Sequence, residues 1–181
     1  MRLFIAVNFD DEIKNGLCEI MQQLQARASH GNFTRRENLH LTLAFLGETG
    51  KPDPVKRAMN RVSAAPFPLS IAGLGKFRRE GGDLFWVGVE SNDALNAVHS
   101  RLWAELSQEG FVPENRAFKP HLTLGREVLV KDFDSNEFAK TIAPMRMNVT
   151  KLSLMKSERL EGRLTYTEIY SRQLENAVKL N

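Results

Sequence analysis

The feature that most constrains this chain is the sequence His-Leu-Thr-Leu, which occurs at residues 40–43 and again at residues 121–124. The chain has 181 residues and 4 histidines, so few pairs of histidines could share such a match by accident. At ordinary amino-acid usage the chance is about one in a thousand. The repeat therefore indicates two regions that are built alike.

Each copy lies in a run of alternating apolar and polar residues, which is typical of a β-strand whose successive side chains point to opposite faces. On the first strand His40 and Thr42 share one face, and His121 and Thr123 repeat this arrangement on the second. The opposite, apolar face of the first strand is predicted to hold Leu39, Leu41, Leu43 and Phe45. Each strand thus presents an imidazole and a hydroxyl together.

Length and composition predict a single domain, residues 1–181, that is long enough to bury about two thirds of its unfolded surface. The single Cys18 lies in a predicted helix and cannot form a disulfide within the chain. No apolar run approaches the roughly 20 residues of a membrane span, and the apolar stretch at residues 1–8 is too short for the hydrophobic region of a secretory signal. We therefore expect a soluble, cytoplasmic monomer that does not bind membranes.

The net charge of +3 is a mild basic bias, and the sequence has no tract of lysines and arginines. Such a charge suits an anionic ligand, whereas a protein that coats long nucleic acid usually shows a stronger basic stripe. The charge is therefore compatible with an anionic ligand and argues against a protein that coats long nucleic acid.

Periodicity and turn residues predict the order of the elements. Strands are predicted at about 2–8, 39–46, 68–77, 83–90, 121–126, 146–156 and 163–173. Helices are predicted after Asp10-Asp11, from Pro52 to before Pro66, and at about 92–109 and 134–141, with a polar loop over 28–38. In the strand over 146–156 the apolar phase shifts between Val149 and Leu152, which predicts a β-bulge there.

Apart from the opening strand, the second half of this order copies the first. We therefore predict an α+β fold with two lobes related by a pseudo-twofold axis, each a small, mostly antiparallel sheet with helices outside. No linker or low-complexity segment divides the chain, so the lobes are expected to share one core. The two motif strands should face each other across a central groove.

Two histidines across a groove form a simple acid–base pair, because imidazole titrates near neutral pH. In-line displacement at phosphorus needs such a pair, since the attacking and leaving oxygens lie on opposite sides. Each threonine is placed to donate its hydroxyl to a phosphate oxygen. This chemistry needs neither a metal nor another cofactor.

Other interpretations of the histidines are a metal site and a structural role. Zinc usually takes at least three protein ligands, and no His-x-His, His-Glu-x-x-His or Cys-x-x-Cys sequence occurs. A lone strand histidine beside a threonine is most often structural, but two matched copies favour a shared site. His99 lies off the apolar stripe of its predicted helix and is expected to be an ordinary, partly exposed histidine.

The motifs with their flanks, residues 40–47 and 120–126, resemble the paired His-x-Thr-x motifs of the 2H phosphoesterase superfamily. Within it they are most similar to the bacterial RNA 2′,3′-cyclic phosphodiesterase family, also named 2′-5′ RNA ligase. The resemblance extends from residues 2–7 through 37–39 to 164–170, so it covers nearly the whole chain.

The resemblance implies hydrolysis of a terminal 2′,3′-cyclic phosphate on RNA or nucleotides to a 2′-phosphomonoester. In some members it also implies reversible joining through a 2′-5′ bond. By the resemblance, His40 is the proton donor to the departing 3′ oxygen and His121 the proton acceptor that activates water. Thr42 and Thr123 would hold the phosphate.

Other substrate contacts are less defined by the sequence. Arg126 follows the second motif as in the family, but strand alternation points it away from His121, which leaves a phosphate contact and a structural ion pair as alternatives. Bases of single-stranded RNA stack on aromatic rings beside cationic groups. The residues of these types are Phe45, Trp86, Phe118, Arg35, Arg36 and Lys119, each of which could instead belong to the core or to a solvated rim.

Two functions compete with cyclic phosphate hydrolysis. One is a nucleotide- or RNA-binding module with little turnover, and the other is an RNA ligase. The sequence does not separate a hydrolase from a ligase, because the forward and reverse reactions use the same groups.

Overall fold

Two antiparallel sheets and four helices make up the parts of the chain that the structure, a computed structural model, describes: residues 1–114 and 117–175. The strands are β1 (Arg2–Asn8), β2 (Ala28–Phe33), β3 (His40–Glu48), β4 (Phe67–Phe77), β5 (Asp83–Val89), β6 (His121–Val130), β7 (Met145–Val149), β8 (Lys151–Leu160) and β9 (Arg163–Gln173). The helices are α1 (Asp11–Gln25), α2 (Pro52–Arg61), α3 (Asp93–Gln108) and α4 (Ser135–Lys140).

Each sheet carries one of the two motif strands. The first has the strand order β3-β1-β8-β9 and the second β2-β6-β5-β4-β7, and neighbouring strands pair antiparallel in both. Each sheet therefore places a motif strand beside one that precedes it in sequence, β1 beside β3 and β5 beside β6. The predicted α+β fold with two similar lobes is confirmed.

The two halves of the chain exchange hairpins. The hairpin β4–β5 precedes the second motif by more than thirty residues and completes the sheet of that motif, whereas β8–β9 returns to the sheet that begins with β1. Neither sheet is formed by one half of the chain alone.

The helices pack their apolar stripes on the sheets. In α1 the side chain of Asp10 accepts a hydrogen bond from the main-chain N–H of Ile13 at 2.9 Å, which caps the helix as its position before the first turn predicts. Leu17 of α1 and Leu102 of α3 are fully buried. One hydrophobic core takes residues from both sheets and from all four helices, so the two lobes are packed as one body. No helix in the described parts of the chain is long and apolar enough to cross a membrane.

Two of the predicted elements are wrong. The predicted polar loop over 28–38 contains β2, which pairs with β6, and a single 3₁₀ turn at Arg36–Asn38. Because β2 is an edge strand with polar residues such as Ser29 and His30 exposed, it lacks the apolar alternation by which a strand is recognised.

The predicted strand over 146–156 is two strands in different sheets. Pairing with β4 in the second sheet ends at Val149, and from Lys151 onward the chain pairs with β9 in the first sheet. Pairing with β1 of the first sheet covers residues 153–157. The phase shift that predicts a bulge between Val149 and Leu152 therefore marks the change of sheet at Thr150.

The hairpin between β4 and β5 docks on β6 through Gly82. Gly82 has a φ of +132°, and a Cβ there would lie 2.5 Å from the main chain of Glu127. Gly81 also has a positive φ, +85°, but no atom lies within 4 Å of its Cβ position.

We predict that Gly81→Ala costs about 1–2 kcal/mol of unfolding free energy, through its backbone conformation alone.

Gly82→Ala should cost more than Gly81→Ala, because the main chain of Glu127 cannot move aside as a flexible side chain can. Urea unfolding of both variants measures the difference. Equal losses would contradict close packing of the hairpin on β6.

Candidate active site

The two motif strands lie against each other where the sheets meet. Their leucines are buried in the common core, with Leu41 and Leu122 fully inaccessible. His40 and Thr42 are half-buried on the opposite face, and so are the corresponding residues of β6. The alternation of the repeat therefore produces the arrangement that it predicts.

Both imidazoles are oriented by the same kind of hydrogen bond. The Nδ1 of His40 donates to the main-chain oxygen of Asn38, and the Nδ1 of His121 donates to that of Lys119, each at 2.7 Å. A carbonyl oxygen only accepts, so the proton of each neutral ring lies on Nδ1 and the Nε2 atom is left as an acceptor. The Nε2 of His40 accepts from the Thr42 hydroxyl at 2.9 Å.

Aromatic side chains pack against each imidazole. The His40 ring lies 4.8 Å from the ring of Phe4 and 5.2 Å from that of Tyr166. In the other lobe the His121 ring lies 5.5 Å from Phe77 and 6.0 Å from Trp86. These contacts restrict both imidazoles to the groove.

Electrostatic effects reach across the groove. Burial lowers the pKa of His40; the hydrogen bond with Asn38 opposes this effect, and the charges of Arg126 and His121 lower the pKa further. Burial raises the pKa of Tyr166, and the charge of Arg126 acts against it. Because β3 and β6 are in contact and charges on β6 act on His40, we expect the two motifs to form one site.

Phe45 and Arg126 lie on the groove side, contrary to the predicted alternation. In both motif strands the pairing register changes by one residue directly after the threonine. There, two residues of the motif strand lie opposite one residue of its partner, which is β1 for the first motif and β5 for the second. Such a β-bulge shifts the side chains that directly follow it, here those of Phe45 and Arg126, to the other face. Ala44 and Gly125 consequently follow a buried leucine and are themselves buried.

The bulge gives Phe45 and Arg126 equivalent positions in the two lobes. Phe45 is 39% exposed, and the guanidinium of Arg2 lies 5.3 Å from the centre of its ring. Arg126 is exposed and forms no ion pair within residues 1–114 and 117–175. Its position at the groove favours the phosphate-contact alternative over a structural ion pair.

Of the other predicted contacts, Trp86 lies beside the site, whereas the rest are engaged elsewhere or exposed. The Trp86 ring is half-buried and covers Gly75, where a Cβ would overlap the ring. Phe118 is stacked on His99, with ring centres 3.8 Å apart and planes at 11°. The Lys119 side chain is exposed.

Both arginines of the loop before β3 hold that loop in place. Arg35 donates to the main-chain oxygen of Leu164 on β9 and pairs with Glu37 at 2.9 Å. Arg36 pairs with Asp11 of α1 at 2.7 Å. These contacts indicate structural roles for the two guanidinium groups.

Sequence reasoning misses several residues of the groove, namely Arg2, Phe4, Phe77 and Tyr166. In β1 the alternation of Leu3, Ile5 and Val7 marks the core face, so Arg2 and Phe4 could have been assigned to the opposite face. The sequence carries no signal that this face adjoins His40. Within the described residues, no group of three or more His, Cys, Asp or Glu side chains could hold a metal ion.

The depressed pKa of His40 predicts a pH-dependent stability. The ordinary histidine pKa is about 6.5. As the pH falls below this value, the unfolded chain binds a proton on His40 that the folded protein does not yet bind. Stability is therefore lost as the pH falls from about 6.5 through the lowered pKa, with a slope of up to about 1.4 kcal/mol per pH unit for this group.

His40→Gln should make this dependence shallower, and urea unfolding between pH 5 and pH 7.5 measures it. Because burial also lowers the pKa of His99, part of the slope is expected to remain. An identical slope in the wild type and in His40→Gln would contradict the assigned cause.

Comparisons with known proteins agree with this geometry. The model of the 2′-5′ RNA ligase superfamily matches residues 9–161. The RNA 2′,3′-cyclic phosphodiesterase of Thermotoga maritima is 31% identical over 191 residues, covering 98% of each chain, and that of Escherichia coli K12 is 31% identical over 180 residues, covering 93% of each.

Among solved structures, the crystal structure of E. coli LigT complexed with 3′-AMP matches with a TM-score of 0.81 and 26% identity. The match covers 97% of this chain and 98% of that one. The family expected from the two motifs is thereby confirmed. The chain belongs to the 2′-5′ RNA ligase superfamily.

Proposed function

We propose that this protein hydrolyses the terminal 2′,3′-cyclic phosphate of RNA or nucleotides to a 2′-phosphomonoester. The observation that supports this most strongly is the matched orientation of two imidazoles in one groove, each with Nδ1 held by a carbonyl and Nε2 left to exchange a proton. The names of the two relatives and the 3′-AMP bound to LigT support RNA or nucleotide ends as the substrate.

In the proposed reaction His121 removes a proton from a water molecule, whose oxygen forms a new bond to phosphorus. The bond from phosphorus to the 3′ oxygen breaks, and that oxygen takes a proton from His40. Thr42, Thr123 and Arg126 donate to the non-bridging oxygens, where negative charge develops in the transition state. Metal and other cofactors have no role in this scheme.

The role of His40 as the donor requires its protonated form, whereas burial favours the neutral ring in the free protein. A phosphate anion bound near Nε2 favours the protonated form, because an opposite charge nearby raises the pKa of an imidazole. The Thr42 hydroxyl, which donates to Nε2 without ligand, would then turn to the phosphate. In this scheme, substrate binding therefore favours protonation of His40, the general acid.

The chain is further proposed to act as a single bilobal domain, residues 1–181, and as a monomer. Both histidines come from one chain, and one hydrophobic core takes residues from both sheets. The same groups could run the reverse reaction, which joins RNA ends through a 2′-5′ bond. Incubation with one RNA that ends in a cyclic phosphate and one that begins with a 5′-hydroxyl tests this second activity, since a nuclease-resistant junction would reveal it.

Substitution of either histidine should abolish most of the hydrolysis. With a 2′,3′-cyclic nucleotide in EDTA, we predict that the wild-type protein releases the 2′-monophosphate and that His40→Ala and His121→Ala each lower turnover by about 10² to 10⁴. Tight binding of the 2′-monophosphate by a wild-type protein that leaves the cyclic substrate intact would instead indicate a binding module.

A cyclic substrate with sulfur in place of the 3′ oxygen distinguishes the acid from the base. A thiolate leaves without protonation, so this substrate should restore most of the turnover of His40→Ala and little of that of His121→Ala. The opposite pattern would reverse the two assigned roles.

Arg126→Gln should raise the pKa of His40, because the charge of Arg126 lowers it. The same change should raise KM about tenfold or more, since a charge-assisted hydrogen bond to the phosphate is lost. An NMR titration of the His40 ring measures the first effect. Arg36→Gln, which removes a charge that is paired with Asp11, is the control and should leave the His40 titration unchanged.

A further inference from the structure

Asn38 is a buried polar residue directly before the first motif strand. Only 6% of its surface is exposed, and it ends the 3₁₀ turn at Arg36–Asn38. Its main-chain oxygen is the acceptor that holds Nδ1 of His40. The orientation of the imidazole therefore depends on where the peptide group of Asn38 is placed.

The side chain of Asn38 fixes that peptide group to the far strand of the first sheet. Its Nδ2 donates to the main-chain oxygen of Leu164 on β9 at 2.9 Å, and its main-chain N–H donates to the oxygen of Arg35 at 2.9 Å. Both the main chain and the side chain of Asn38 are thus held by hydrogen bonds, and the side-chain bond joins residues 126 positions apart in the sequence.

The strand that receives this hydrogen bond also supplies the ring beside His40. Tyr166 follows Leu164 by two residues, and its ring lies 5.2 Å from the His40 ring, at an interplanar angle of 88°. One segment of β9 therefore anchors both the hydrogen-bond acceptor of the imidazole and one of its packing partners.

Stability alone does not account well for an asparagine at this position. Its Oδ1 is buried and has no hydrogen-bond partner in the described parts of the chain. A buried polar atom without a partner costs stability, which offsets the gain from the Nδ2 bond. A small substitute at this position is consequently expected to fold.

We propose that Asn38 is a positioning residue for His40. Its side-chain amide, by binding the Leu164 carbonyl, holds its own main-chain oxygen where that oxygen keeps the His40 proton on Nδ1. Nε2 is thereby presented to the phosphate. Asn38 touches no substrate and acts only through the imidazole. Its effect on turnover rests on the proposed function, whereas its effect on the imidazole does not.

Asn38→Ser and Asn38→Asp test the proposal. Serine is too short to reach the Leu164 oxygen, and aspartate keeps the shape of the side chain but replaces the Nδ2 donor with an acceptor. The control is Asn60→Ala, because Asn60 of α2, which is exposed, is also joined to β9 through its side chain, as the acceptor for the Tyr170 hydroxyl.

The first readout is the tautomer of His40, observed by long-range ¹H–¹⁵N NMR of the free protein at a pH where the ring is neutral. Wild type and Asn60→Ala should show the Nδ1–H form, and both Asn38 variants should show a mixture with Nε2–H. The second readout is hydrolysis of a 2′,3′-cyclic nucleotide. We expect kcat of the Asn38 variants to fall about 10- to 100-fold, as a misplaced catalytic group does, with KM within about twofold of wild type.

A pure Nδ1–H tautomer in folded Asn38→Ser would overturn the proposal. The proposal would also be overturned if kcat fell equally in Asn38→Ser and Asn60→Ala, in proportion to the loss of thermal stability. If the wild-type protein hydrolyses no cyclic nucleotide, the proposed function fails, and the tautomer measurement alone still decides the role of Asn38.

Discussion

The hydrogen bond from a ring nitrogen to the main-chain oxygen two residues earlier is the interaction on which this site depends. It occurs at His40 and at His121 with the same length. Without it, an imidazole distributes its proton between two nitrogens and turns about its side-chain bonds. With it, the backbone at the start of each motif strand determines which nitrogen faces the groove, so the chemistry follows from the fold.

The two lobes repeat this arrangement with different surroundings. The acceptor for His40 belongs to Asn38, which is buried, whereas the acceptor for His121 belongs to Lys119, whose side chain is exposed. The segment before His121 is held instead by the stacking of Phe118 on His99. Positions after the bulges differ as well, since one lobe has Phe45 where the other has Arg126. An approximate twofold axis thus yields two unlike sides for an asymmetric substrate.

Features set by neighbouring residues were predictable, and features set by distant strands were not. The face shared by His40 and Thr42 follows from alternation, and the cap of α1 follows from Asp10. The orientation of Arg126 was predicted wrongly because its bulge exists only relative to β5, which the sequence of β6 does not reveal. The contact of Tyr166 with His40 joins residues from opposite ends of the chain, and no local pattern marks it.

The exchanged hairpins have a consequence for how the protein is made. β1 is an inner strand of the first sheet, and one of its edges pairs with β8, which lies about 150 residues later. During translation this edge stays unpaired until β8 has left the ribosome. Sheets that depend on such distant pairings have a high contact order and form slowly. The nascent chain therefore carries an open strand edge, of the kind that chaperones shield from aggregation, for most of its synthesis.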